Sequence, residues 1–488
     1  MLNPGWLNTN CAVAGPALHL DRRGLEQAID GWRASFTDLG AKVVGLFADN
    51  GPHWLSCDLA MLAGDVVAVP LPSFFSDSQL IHAIERAGID HVVADDPYRL
   101  TGLGLGLQSA GRCHGFELLA RGDVEPVALH AGTTKITFTS GSTGTPKGVC
   151  LDQTSALRLA ATLGDVLAEL GITRHLSVLP FATLLENVAG AYAALGVGAT
   201  VLAVPLAHIG FGGAGGFDPT RLLSCLHQYT PDSVILLPEL LRALVQMGEA
   251  GAPMPGSLKF VAVGGGKVGV GLVERACALG LPVYEGYGLS ECASVVSLNL
   301  PGAARPGSVG RALPHARVRL ADDGEIHVIG SAMRGYLGEA PAPAEIATGD
   351  LGAFDDDGYL YVRGRKKNQF ITSFGRNVNP EWPEAVLLQH TALRQAAVFG
   401  EAMPINVAVL VAAPGAVDAD LDAAVQAANH VLPVYARIGA WLRADAPFSA
   451  FNSQATGNGR LRREAVAACY ETRIAELASA MRAASHPG

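Results

Sequence analysis

Residues 25–100 alternate between two periodicities, and this limits the possible folds more than any other feature of the chain. Apolar residues recur at helical spacing over 25–36, 53–62 and 79–87, and short apolar runs stand between them at 42–47, 66–69 and 91–94. The first run ends in Asp49-Asn50-Gly51, the second at Pro70, and the second helical stretch stops at Gly64. Apolar strands alternating with helices form a parallel sheet covered on both faces.

The alternation returns with strands expected at 177–179, 199–202, 233–236 and 259–263 and helices near 186–195 and over 238–247. From about residue 306 short strands come with the turn signals Asp322-Asp323-Gly324 and Asp356-Asp357-Gly358, which points to a more antiparallel β unit. After Lys367 a small α+β domain fits, with helices over 418–431 and 460–481. The expected class is α/β: a large N-terminal domain of parallel α/β subdomains plus a β-rich subdomain, then a small C-terminal α+β domain. A chain of 488 residues, 49% hydrophobic and 16% charged, has the apolar material for large cores. Its length suits about three folding units or two unequal domains.

The net charge of −10 argues against a nucleic-acid partner, which needs clustered Lys and Arg. An anionic substrate must then be met by a local cationic site. Eight cysteines are scattered without a C-x-x-C pair or zinc-like spacing, the pattern of free thiols in a reducing cytosol, so a cytoplasmic location is expected. Residues 1–6 lack a basic segment leading into an apolar one, and no run of about 18 apolar residues occurs; neither a signal peptide nor a membrane span is expected.

The most informative stretch is Thr137–Gly148, which packs six hydroxyl side chains, three glycines and Lys147 into twelve residues. Glycines let backbone N–H groups approach an anion, hydroxyls add donors and lysine adds a full charge. The pattern is that of a phosphate loop, as against a flexible Ser/Gly linker. It is not a Walker A loop, because Pro146 and Gly148 replace the residues that motif requires around its lysine.

This loop resembles the phosphate signature of the adenylate-forming superfamily, which includes acyl-CoA synthetases, peptide-synthetase adenylation domains and luciferases. Three further motifs follow in the family's order. Tyr284-Glu285-Gly286-Tyr287-Gly288-Leu289-Ser290-Glu291 is similar to its Tyr-Gly-x-Thr-Glu element, Thr348-Gly349-Asp350-Leu351 leads into Gly364-Arg365, and Lys366-Lys367-Asn368 resembles its interdomain junction. The surroundings look most like the long-chain fatty-acid branch. The resemblance implies a ligase that converts a carboxylic acid and ATP to an acyl-adenylate and passes the acyl group to coenzyme A. An acyl carrier protein as acceptor and a non-catalytic ATP-binding relative are the alternatives.

By the same resemblance, Thr139, Ser140, Gly141, Ser142, Thr143, Gly144 and Lys147 would embrace the ATP phosphates. Glu291 would hold Mg2+; on its own it reads as a solvated or capping residue. Gly264, Gly265, Gly266, Glu285, Gly286, Tyr287, Gly288 and Ser290 would line the nucleotide, although three glycines after a strand are also an ordinary turn. Asp350 and Arg365 would take the ribose, in a segment that also reads as a hairpin. Lys367 would be the hinge between domains 1–366 and 367–488, or else part of an exposed basic loop.

Two departures stand out. Arg460 occupies the place of the family's C-terminal catalytic lysine; the run Arg460, Arg462, Arg463 equally suits a solvated helix start. Thr183 stands where many relatives carry a histidine at the acyl site. Phe181, Thr183, Leu184 and Leu185 are candidates for the acyl pocket, and the apolar three could equally be core.

Overall fold

The computed structural model describes residues 6–122, 124–139, 146–212, 217–456 and 459–484. Two large sheets carry the first two thirds of the chain. One has eight strands, with Lys135–Thr139, Val67–Pro70, Val43–Phe47 and His91–Ala94 side by side and parallel at its centre. The other has nine, and its parallel run is Val283–Leu289, Phe260–Val263, Ser233–Leu236, Arg174–Leu176, Thr200–Leu202 and Ala12–Ala14. Antiparallel strands close their edges.

The helices lie where the periodicity puts them. Arg22–Leu39 starts at Asp21, whose side chain accepts the Gly24 N–H, and ends at Gly40 in a left-handed conformation. It buries Leu25, Ala28, Trp32 and Phe36, the i, i+3/i+4 stripe of the sequence. Asp77–Arg86 begins with a capping box of Ser76 and Gln79.

One expected strand is displaced. The sheet uses Arg174–Leu176, not 177–179. Just beyond it the chain is bound by side chains: the Leu179 N–H donates to Glu186 (3.0 Å), and its carbonyl accepts from Asn50 (2.8 Å). The following helix opens as a π-helix, Leu185–Tyr192, before Ala193–Gly196 continues as α-helix.

A buried polar cluster joins the two sheets across this π-helix. Lys135, at the start of its strand, places Nζ 3.0 Å from Asp58 Oδ2 and bonds Asn187 and Tyr192 as well. Asn187 and the Tyr192 hydroxyl also donate to Asp58. The Lys135 and Asp58 side chains are 4% and 0% exposed, so among the described residues each charge is compensated by the other. Burial pushes the Lys135 ammonium below its ordinary range, against the pull of Asp58.

The β-rich part is a four-stranded antiparallel sheet of Arg317–Leu320, Glu325–Ile329, Glu345–Phe354 and Leu360–Arg365. Both expected turns connect it. From residue 370 on, a three-stranded sheet of Leu393–Phe399, Asn406–Ala412 and Ile438–Arg443 carries a core on each face. Helix Asp418–Val431 packs into one core and Arg463–Ala484 into the other.

Asp58→Ala should cost about 3–5 kcal/mol in urea denaturation, because it strands the Lys135 charge. Asp58→Asn/Lys135→Met should lose less than the sum of the two single changes. Additive losses would mean the two are not coupled.

Candidate functional site

A continuous cavity of about 2560 Å³ opens along the carboxyl ends of the parallel strands of both sheets. Its wall takes residues just past Val43–Phe47, Val67–Pro70, Arg174–Leu176, Ser233–Leu236 and Phe260–Val263. Open α/β sheets bind ligands at this end. A drug-sized ligand fills ~300–1,000 Å³, so the cavity has room for more than one substrate.

The Ser/Gly-rich loop joins two antiparallel strands, Lys135–Thr139 and Lys147–Leu151, with Thr139 and Lys147 as register partners. That differs from the strand–loop–helix of a Walker A site. Ser140, Gly141, Ser142, Thr143 and Gly144 lie outside the described residues. Thr139 and Lys147 line the cavity. Lys147 Nζ sits 2.9 Å from Glu339 and 4.7 Å from the centre of the Tyr336 ring. The Tyr336 hydroxyl donates to Glu291 Oε1 (2.7 Å). Tyr336 belongs to no motif in the sequence; the short strand Gly335–Tyr336 brings it there by pairing beside Val149.

Strand Val283–Leu289 delivers the Tyr-Gly element, and Ser290–Cys292 turns at its end. Gly286, Tyr287, Gly288, Ser290 and Glu291 line the cavity. A Cβ on Gly288 would fall 1.7 Å from the Ser294 carbonyl oxygen, so this bulge accepts only glycine. The Tyr287 hydroxyl donates to Asp350 Oδ2 (2.8 Å), and Arg365 Nε lies 3.0 Å from Oδ1. Asp350 and Arg365 are register partners across the hairpin expected from sequence. Burial pushes the Asp350 carboxyl up, opposed by Arg365 and by the Tyr287 hydrogen bond.

Arg460 and Lys367 complete the wall from the C-terminal side. The Arg460 N–H donates to Thr456 Oγ1 (2.9 Å). Its guanidinium has no hydrogen bond or ion pair among the described residues, although Asp350, Glu381 and Glu291 are near enough to act on it. Arg460 and Lys367 are both solvent-exposed by surface area, yet the protein crowded around them, with Arg365 next to each, holds both cations below their ordinary range. Arg463 is no part of a solvated face: half-buried, it is held in an ion pair with Glu384 (2.7 Å).

Four of the described candidates sit off the cavity wall, and one of them, Asp350, is reached from it through Arg365 and Tyr287. Phe181 is fully buried, its ring tilted against Trp54 at 5.2 Å and its N–H donating to Asn50 Oδ1, and is core. Thr183, Leu184 and Leu185 do line the cavity. Gly266 lies beside Pro238, outside the wall formed by Gly264 and Gly265. The Glu285 carboxyl accepts the Val268 N–H (3.3 Å) in an enclosed position, where burial pushes it up to about 8.

Among the described residues no three His, Cys, Asp or Glu side chains converge as a metal cage. Mg2+ commonly takes one or two carboxylates with substrate phosphates and waters. Glu291, whose hydroxyl partner uses one oxygen, fits that donor set.

The family model described as AMP-binding enzyme matches residues 25–337, and that described as AMP-binding enzyme C-terminal domain matches 367–482. The chain belongs to the AMP-binding enzyme family. It is similar to a long-chain-fatty-acid–CoA ligase of Mycobacterium bovis, 37% identical over 34% of this chain and 29% of that protein. It is also similar to a 2-succinylbenzoate–CoA ligase of Bacillus velezensis, 31% identical over 58% of this chain and 59% of the relative. The chain thus spans less than two thirds of the length of either. The Bacillus subtilis o-succinylbenzoate CoA synthetase has the same fold, with a TM-score of 0.75 over 94% of this chain and 97% of that one at 21% identity.

The Glu285 carboxyl gives a pH prediction. Its folded value of about 8 lies above the ordinary 4.5, so its protonation favours the fold and that stabilisation is lost as pH rises from about 5 through 8. Glu285→Gln should flatten this loss, with the gain over wild type growing by at most ~1.4 kcal/mol per pH unit. A pH-independent gain in thermal denaturation would contradict the assignment.

Proposed function

We propose that this chain is an ATP-dependent acid–thiol ligase that makes an acyl-adenylate and passes the acyl group to coenzyme A. The observation that carries the reading is Arg460: a guanidinium without a partner among the described residues, in the same cavity as Lys147, Glu291 and Arg365, the last of which pairs with Asp350.

In the first step a carboxylate oxygen of the acid attacks the α-phosphorus of ATP, and pyrophosphate leaves. No general base is needed, since the nucleophile is already ionised. Arg460 meets the negative charge at the reacting carboxylate and phosphate, where a fixed cation lowers the barrier. It is a planar fork in place of an ammonium, so it aims its donors differently. Lys147 exchanges its exposed contact with Glu339 for the triphosphate, assisted by Thr139 and by Ser140, Gly141, Ser142, Thr143 and Gly144. Glu291 holds Mg2+, which neutralises phosphate charge when bound. Asp350 and Arg365 take the ribose hydroxyls, and Tyr287 stacks by the adenine. In the second step a thiolate attacks the acyl carbonyl and AMP departs. The part from 367 onward turns about Lys367 between the steps, so that one cavity serves both reactions and the adenylate stays shielded from water.

A fatty acid is the substrate class that the apolar walls around Leu184, Leu185, Leu237 and Leu240 support. No long insertion stands between Tyr336 and Asp350, which favours coenzyme A over an acyl carrier protein. No helix among the described residues is long and apolar enough to cross a membrane, and the eight cysteines are free thiols. Both observations suit a reducing, cytoplasmic setting.

The test is ATP- and acid-dependent pyrophosphate release over a panel of fatty and aryl acids, with and without coenzyme A. Acyl-CoA by mass supports the ligase, whereas acyl-AMP that accumulates despite coenzyme A points to a carrier protein. ATP binding without release for any acid overturns the enzyme reading. Arg460→Ala should lower pyrophosphate release on the order of 10²–10³-fold, and Arg460→Lys should recover part of it.

A further inference from the structure

Helix Pro238–Glu249 faces the core with Leu240, Leu241, Leu244 and Val245. Glu239, Arg242 and Gln246 on the same helix reach the cavity wall. The helix starts where Leu237 packs on Gly265, a Cβ on which would lie 2.9 Å from the leucine. Arg242 therefore stands about 7 Å further along the axis, away from the glycine turn.

Arg242 is a cation without a counter-ion among the described residues. Its Nε is buried and unpartnered, and no hydrogen bond or ion pair reaches its guanidinium among the described residues. Glu239, one turn earlier, and Arg275 act on it only at longer range, and burial pushes it below the ordinary guanidinium value. Other arginines nearby are paired: Arg99 holds Asp77, Arg275 holds Glu249, Arg365 holds Asp350 and Arg463 holds Glu384. A partly desolvated charge is costly without a partner. A ligand anion in the cavity would supply one, with Gln246 as a neutral donor beside it. The nucleotide has its own cations, Lys147 and Arg460, at the strand ends.

We propose that Arg242 anchors an anion subsite for a substrate other than ATP, taking an oxyanion carried by the acid or by the thiol acceptor. In the acid this is a second carboxylate at the far end of the chain; in the acceptor it is a phosphate. Arg242 is then a specificity residue of the ligase proposed above, and the inference rests on that reading.

The experiment compares wild type, Arg242→Met, which keeps the apolar stem, and Arg242→Lys, which keeps the charge. One arm measures KM for octanoate and suberate, an acid pair that differs by the distal carboxylate. The other measures KM for coenzyme A and 3′-dephospho-coenzyme A. In one arm Arg242→Met should raise KM for the more charged member about 10-fold relative to its partner, and Arg242→Lys should restore most of that ratio. The arm that responds identifies the source of the anion. Equal changes for both members of both pairs, or no change, overturn the proposal. Wild-type ATP–pyrophosphate exchange is measured first, because its absence counts against the ligase reading itself. Calorimetric titration of suberate and of coenzyme A into wild type and Arg242→Met then decides the subsite without turnover: weaker binding of one ligand to the variant supports it, and equal binding of both overturns it.

Discussion

The buried Asp58–Lys135 pair is the contact on which the site depends. Lys135 begins the strand that runs into the Ser/Gly-rich loop, Asp58 sits on a helix of the first sheet, and Asn187 and Tyr192 belong to the π-helix behind the second. Two charges removed from water hold only if their geometry is kept. The cluster thereby fixes the distance between the loop proposed for phosphate and the Thr183–Leu185 segment of the wall. The neighbouring pair His175–Glu186 (2.9 Å) does the same for the turn at Leu179. Gly190 makes that pair possible, since a Cβ there would lie 2.5 Å from Glu186 and 2.7 Å from His175.

The cavity and the residues directly behind its wall divide their charges into satisfied and waiting. Asp350 is held by Tyr287 and Arg365, and Glu291 by Tyr336. Lys147 rests on an exposed glutamate, a weak contact that a triphosphate can replace. Arg460 and Arg242 have no such resting partner among the described residues. With a net charge of −10 the protein offers no general attraction to anions, so these few cations carry that task.

Much of this was legible in the sequence. The 3.6-residue stripe of Arg22–Leu39, the strands from 42 to 94, both Asp-rich hairpin turns and helix Asp418–Val431 stand where periodicity and turn chemistry put them. The strand at Arg174–Leu176 was shifted because Leu179 donates its N–H to Glu186 and accepts at its carbonyl from Asn50, bonds that outcompete the sheet there. Phe181 shows a different limit: an aromatic residue in a wall-forming segment can turn inward, and only its neighbour Trp54, 127 positions away, settles which.

The sequence by itself determined the alternation of strands and helices, the glycines that certain turns require, and the order of the chemistry-bearing motifs, because each depends on neighbours a few residues apart. The tertiary structure alone decided which side chains share the cavity. Tyr336 meets Glu291 through strand pairing, Glu285 is enclosed while Tyr287 reaches the cavity, and Arg463 is spent on Glu384 while Arg460 has no partner among the described residues. Burial and charge pairing are set by residues distant in the chain, and no local pattern encodes them.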